Sequence, residues 1–140
     1  MSVVEVVGLD AGNIEDVLAV SAAPGQEAYV RPVAWYVALS TYERVWTPIA
    51  FLVDGEVVGF AQWAFDPADG MHCIGGVVID AARQGQGLGR RAMSSFVGWL
   101  RDRPDCGPIV LTVHAENKRA RTLYATLGFL DTGQLLDGEL

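Results

Sequence analysis

The segment Val77-Val78-Ile79-Asp80-Ala81-Ala82-Arg83-Gln84-Gly85-Gln86-Gly87-Leu88-Gly89-Arg90 constrains this chain more than any other. It reads as a β-branched strand, a short polar turn, and a glycine-rich loop that opens a helix. Such an arrangement delivers unpaired backbone N–H groups to a helix N-terminus, where the helix dipole adds partial positive charge. Glycines let the backbone approach a phosphate closely, because no Cβ intervenes. The local chemistry therefore favours a phosphate-bearing ligand.

Two common phosphate loops do not fit. A P-loop needs a lysine and a hydroxyl after its last glycine, and none follows here. A dinucleotide fingerprint needs Gly-x-Gly-x-x-Gly; counted from Gly85, the third glycine falls on Arg90. The pattern Gln84-x-x-Gly87-x-Gly89 does match, and it resembles the acetyl-CoA loop of the GNAT superfamily of N-acetyltransferases. Downstream, the apolar run Ile109 to Val113 is followed by Asn117, Ala120, Leu123-Tyr124 and Leu127-Gly128-Phe129. This resembles the family's second signature, in which a strand leads to an Asn, a short helix carrying a Tyr, and Gly-Phe before another strand.

Composition sets bounds. A chain of 140 residues that is 51% hydrophobic supports one domain with a sizeable core. No run of roughly 20 apolar residues suggests a membrane span. The stretch Met1 to Gly12 lacks the basic start of a secretion signal. Cys73 and Cys106 stand apart without metal-ligand spacing, so two reduced thiols in a cytoplasmic protein and no metal site are expected. The net charge of −7 argues against a nucleic-acid partner and mildly favours a cationic substrate.

Periodicity and turn signals predict the elements in between. Val3 to Val7 reads as an edge strand. Ile14, Val17, Leu18 and Ser21 lie at helical spacing, with Asn13 or Asp10 as cap and Pro24-Gly25 as the break. Val33 to Glu43 is a second helix. Ile49 to Val53 and Val57 to Ala64 form a hairpin around Asp54-Gly55. Met71 to Ile79 is a long strand, and Gly75-Gly76 inside it suggests a bulge. Leu88 to Arg101 is amphipathic, Lys118 to Leu127 is the last helix, and Phe129 to Leu135 is the last strand.

The resemblance implies an α/β (α+β) GNAT fold over residues 1–140. A mixed sheet of six to seven strands would be flanked by about four helices, with its fourth and fifth strands splayed. Asp137-Gly138 reads as a hairpin turn and Glu139-Leu140 as the start of a seventh strand that the chain lacks in most or all of its length. A homodimer that pairs the exposed edge is one consequence. The resemblance assigns acetyl-CoA as acetyl donor. Its pyrophosphate would lie on Gln84, Gly85, Gln86, Gly87, Leu88, Gly89 and Arg90, and its pantetheine arm against the main chain of Val77, Val78 and Ile79. Asn117 would stand near that arm or cap the last helix.

By the same resemblance Tyr124 protonates the departing thiolate. A phenol with a reference pKa of about 10 keeps its proton at neutral pH. The acceptor amine must lose a proton before it attacks. No Asp or Glu lies on the fourth strand, leaving His72 and Glu43 as candidates for that step. Trp35, Tyr36, Tyr42 and Trp46 are candidates for an aromatic amine pocket, or ordinary core. The segments Trp46 to Phe51, Asp54 to Ala61 and Val78 to Gly87 resemble bacterial spermine/spermidine acetyltransferases. That implies a small primary amine, polyamine-like, as acceptor. The glycines at 75 and 76 depart from the charged residues several such enzymes carry there. A non-catalytic acyl-CoA sensor and a protein or peptide N-acetyltransferase are the competing readings; a sensor would not need Tyr124.

Overall fold

A computed structural model describes residues 3–43, 45–83 and 87–131. The described elements run β1 (Val4–Gly8), α1 (Ile14–Leu18), α2 (Val33–Glu43), β2 (Thr47–Val53), β3 (Glu56–Asp66), β4 (Met71–Ile79), α3 (Leu88–Arg101), β5 (Ile109–Leu111) and α4 (Lys118–Thr126). A short 3₁₀ turn, Ala81–Arg83, leaves the end of β4. The sheet order is β1-β2-β3-β4-β5, antiparallel from β1 through β4 and parallel between β4 and β5.

Strand alternation sorts the core into two layers. Ile49, Phe51 and Val53 of β2 point to one face, with Val4, Val58 and Ile74. There they meet the buried stripe Leu88, Ala92, Met93, Phe96 and Leu100 of α3, and Tyr124 and Leu127 pack beside them. Ala50, Phe60 and Val78 point to the other face, under Val17, Val20 and Val33. Thus α1 and α2 cover one side of the sheet, and α3 and α4 the other. The β2–β3 turn has positive φ at both Asp54 (51°) and Gly55 (80°), as a two-residue hairpin with right-handed twist requires.

Four expectations need correction. The described sheet has five strands rather than six to seven. Phe129 to Asp131 are not in a strand, and the remainder of the expected last strand, with Asp137-Gly138 and Glu139-Leu140, lies outside the described residues. Helix α1 stops at Leu18, well before Pro24. The Ser21 N–H donates to Asp80 Oδ1 (3.2 Å) and its carbonyl accepts from Ala81 N–H (2.8 Å), so the end of β4 takes the backbone groups a longer helix would need. Strand β5 ends at Leu111 rather than Val113.

The cause of that early end is the glycine pair. Phe60 pairs with Val78 and Gln62 with Gly75, so β3 advances two residues while β4 advances three. Gly76, at φ +61°, and Val77 form the bulge. The parallel pairing of β4 with β5 runs from His72–Ile109 to Ile74–Leu111 and stops immediately before the glycine pair. Past the bulge β4 turns away from β5 and stays on β3, with Gly59 paired to Ile79. A Cβ on Gly59 would stand 2.7 Å from the Val78 carbonyl, so only glycine allows that approach.

Candidate active site

The splay opens a cavity of about 500 Å³. One wall is the unzipped part of β4, Gly75 to Ile79; the facing wall is Leu111 to His114 and the helix α4. Gly87, Leu88, Gly89 and Arg90 close one end, and Gln26, Tyr29 and Tyr36 border it from the α1–α2 side. Val77, Val78 and Ile79 therefore sit where β4 has lost its parallel neighbour, and all three line the cavity.

At α3 the N-cap is Gly87, in the left-handed conformation (φ 69°, ψ 13°), with no side-chain cap bond. The first intrahelical bond comes from Arg91 N–H to the Gly87 carbonyl, so the amides of Leu88, Gly89 and Arg90 have no partner within the helix. A Cβ on Gly87 would meet nothing within 4 Å. Gly89 stands closer to its neighbours. A Cβ there would lie 3.5 Å from Leu123 and 3.9 Å from Ile79, at ordinary contact distance, so Gly89 sits where α3 meets α4 and β4 without the packing itself demanding glycine. Gln84, Gly85 and Gln86 lie outside the described residues.

Asn117 is buried and caps α4, its Oδ1 accepting from Ala120 N–H at 3.2 Å while the residue lines the cavity. Tyr124, further along the same helix, also lines it. Its ring stands edge-on to Phe129 at 6.1 Å. Burial raises its phenol to about 12, because the phenolate would lose its hydration there, so the hydroxyl is a proton donor across the working range.

The acceptor-side candidates separate sharply. Tyr36 reaches the cavity, stacked on Phe60 at 5.8 Å with its hydroxyl accepting from Arg31 N–H at 3.0 Å. Trp35, Tyr42 and Glu43 are exposed and do not line it. Trp35 instead holds the Arg31 guanidinium at 4.8 Å. Trp46 lies against β4, 3.3 Å from where a Gly75 Cβ would stand. His72 is the clearest correction. It is fully buried between Phe65 (4.9 Å) and Trp63 (5.8 Å), with Nε2 4.0 Å from Asp105, and it does not line the cavity. It lies four positions before Gly76 on the strand, about 13 Å along β4.

Sequence reasoning missed Gln26, Tyr29, His114 and Arg119, all of which line the cavity. No motif marks them. The one available signal was the position of His114, directly after the apolar run and three residues before Asn117. The cavity also departs from the overall charge. Arg83, Arg90 and Arg119 line it, and among the described lining residues there is no Asp or Glu.

A strand pair parted by a bulge, an uncapped glycine-led helix start and a tyrosine on the next helix are the parts the two sequence signatures anticipate. The family model for the acetyltransferase (GNAT) family matches residues 15–129. The chain belongs to the GNAT family. Among curated relatives, it is similar to the spermine/spermidine N(1)-acetyltransferase of Bacillus subtilis strain 168, with 29% identity over 94 residues. That match covers 63% of this chain and 62% of the relative, so the chain spans about three fifths of that relative's length. It is also similar to the mycothiol acetyltransferase of Kytococcus sedentarius, 40% identical over 78 residues that cover 54% of this chain and 25% of the relative. Solved structures share the fold. Aminoglycoside acetyltransferase AAC(6′)-Ib in complex with ribostamycin and coenzyme A superposes with TM-score 0.80 at 19% identity, covering 98% of this chain and 89% of that one. The spermidine N-acetyltransferase of Vibrio cholerae, in complex with CoA and spermine, gives 0.76 at 15%, covering 96% and 85%.

Proposed function

We propose that this protein transfers an acetyl group from acetyl-CoA to a primary amine of a small molecule, with polyamines the first class to test. The observation that carries the reading is a coincidence of three features on one cavity. They are the main chain of Val77 and Val78 past the last β4–β5 pair, the uncapped α3 amides behind Gly87, and the cavity-lining phenol of Tyr124. The donor's phosphates suit the α3 amides, with the guanidinium of Arg90 beside them and that of Arg83, paired with Glu56, on the cavity rim. Its arm suits the open edge of β4 as an added strand would. Bound acetyl-CoA supplies the thioester carbonyl.

Tyr124 then acts as general acid toward the departing sulfur. Burial pushes its phenol up to about 12, so the hydroxyl still carries its proton when the thiolate forms beside it. Tyr36 offers an aromatic face to a cationic acceptor, as the polyamine reading requires. A thiol-release assay with acetyl-CoA across polyamines, aminoglycosides, amino acids and peptides tests the proposal. Turnover with a primary amine is expected, and CoA binding without turnover on any acceptor would refute it in favour of a sensor.

A further inference from the structure

The cavity has a second chemical feature, on the side facing α1 and α2. Tyr29, from the α1–α2 connection, and His114, from the β5–α4 connection, meet with ring centroids 5.4 Å apart at 48°. The two segments come from opposite sides of the parted strands, and both side chains line the cavity that also holds Gly76, Val77 and Tyr124. The contact fixes an imidazole in the wall at a place no motif marks.

Amine acetylation needs a group that takes a proton from the acceptor ammonium. The charged and titratable groups facing that space are few. From the α1–α2 side come Tyr29 and Tyr36; from α4 come Arg119 and Tyr124; at the phosphate end are Arg83 and Arg90. Guanidinium groups do not give up their protons, and a phenol ordinarily keeps its own to about pH 10. Imidazole is the side-chain type that exchanges a proton near neutrality, with an ordinary pKa of about 6.5. Among the described lining residues no carboxylate competes for the role, and His72, the other histidine, lies outside the cavity.

We infer that His114 is the general base of the reaction, held in place by the ring of Tyr29. This rests on the acetyltransferase reading above and adds the group that reading lacks. The balance closes with the residues present. The ammonium gives one proton to a neutral His114 nitrogen, directly or through a water. The freed lone pair forms the C–N bond at the thioester carbonyl, and the C–S bond breaks as the carbonyl re-forms. Sulfur takes the phenolic proton of Tyr124. The second proton of the acylated nitrogen restores the phenol through solvent, and His114 returns its own proton to solvent. One proton is released per turnover.

The test compares wild type with His114→Gln and His114→Ala, using spermidine and the fastest acceptor of the panel as probes. Expected is a fall in kcat/KM near pH 7 of about 10²-fold or more. The acid limb of the wild-type pH profile should vanish in His114→Gln, CoA affinity by calorimetry should hold, and added imidazole should partly restore His114→Ala. A binding readout runs alongside on wild type: the His114 ring resonances in the CoA-bound protein should shift when the amine is added. Retention of the acid limb, loss of CoA affinity in step with activity, or a silent His114 resonance would each overturn the inference and leave His114 as a packing partner of Tyr29. A wild-type protein that binds CoA but acetylates no probe would instead overturn the acetyltransferase reading itself.

Discussion

Replacing Gly87 by valine separates the anion site from the fold. Gly87 sits at φ +69°, where an L side chain costs about 1–2 kcal/mol. A Cβ would meet nothing within 4 Å, so strain is the main folding cost and no clash adds to it. A domain of this kind holds about 5–15 kcal/mol, so Gly87→Val should fold, with Tm lowered by about 3–8 °C. The effect on CoA should be larger. The open space is the approach to the uncapped amides of Leu88, Gly89 and Arg90, and a hydrogen bond to a charged group contributes about 1.5–3 kcal/mol. Each such bond lost therefore weakens affinity about 10- to 150-fold. Gly87→Asn is the control, since asparagine tolerates this backbone region better yet still carries a side chain. Calorimetric titration with CoA and thermal unfolding read the two effects separately. A folded Gly87→Val protein with wild-type CoA affinity would refute the placement of the phosphates on this helix start.

Tyr124→Phe should lower turnover by about 10²–10⁴-fold with CoA affinity retained; full turnover would mean that water supplies the proton. The same variant tests the buried phenol by pH. The folded value of about 12 lies above the ordinary value of about 10, so the folded state holds this proton more tightly. The stability tied to it is present below about pH 10 and is lost as pH rises through about 12. Stability by urea unfolding should fall more steeply between those limits for wild type than for Tyr124→Phe, and parallel curves would show the hydroxyl to be solvated. His72→Leu removes two ring nitrogens that are buried without hydrogen-bond partners, so stability should hold or rise by about 1 kcal/mol and activity should be unaffected; a large loss of turnover would return His72 to the site. If spermidine is a substrate, the net charge of −7 predicts a kcat/KM that falls as salt rises, whereas repulsion by the arginine-lined cavity predicts one that rises, and the sign of the measured slope decides which field governs capture.

Local signals in the chain carried far. Helix α2 at Val33–Glu43, strand β4 at Met71–Ile79, helix α3 at Leu88–Arg101 and the turn at Asp54-Gly55 follow from periodicity and turn chemistry alone. So does the bulge, because a Gly-Gly pair inside a β-branched run has few other uses. These features depend on neighbours a few residues away, and the sequence displays such neighbours directly. Tertiary structure decided the rest. The end of α1 is set by Asp80, 59 residues beyond Ser21. The end of β5 is set by a bulge in a different strand. Whether an aromatic or a histidine reaches the cavity depends on which face its element turns to the sheet and how far along the strand it sits. Trp35 and Tyr36 are adjacent in sequence, yet only Tyr36 lines the cavity; His72 shares a strand with Gly76 but lies buried far from it, while His114 is brought to Tyr29 across the gap. That meeting joins two distant parts of the chain through the register of the sheet, and no local pattern encodes it, because the bulge that parts β4 from β5 fixes where the two connecting segments come together.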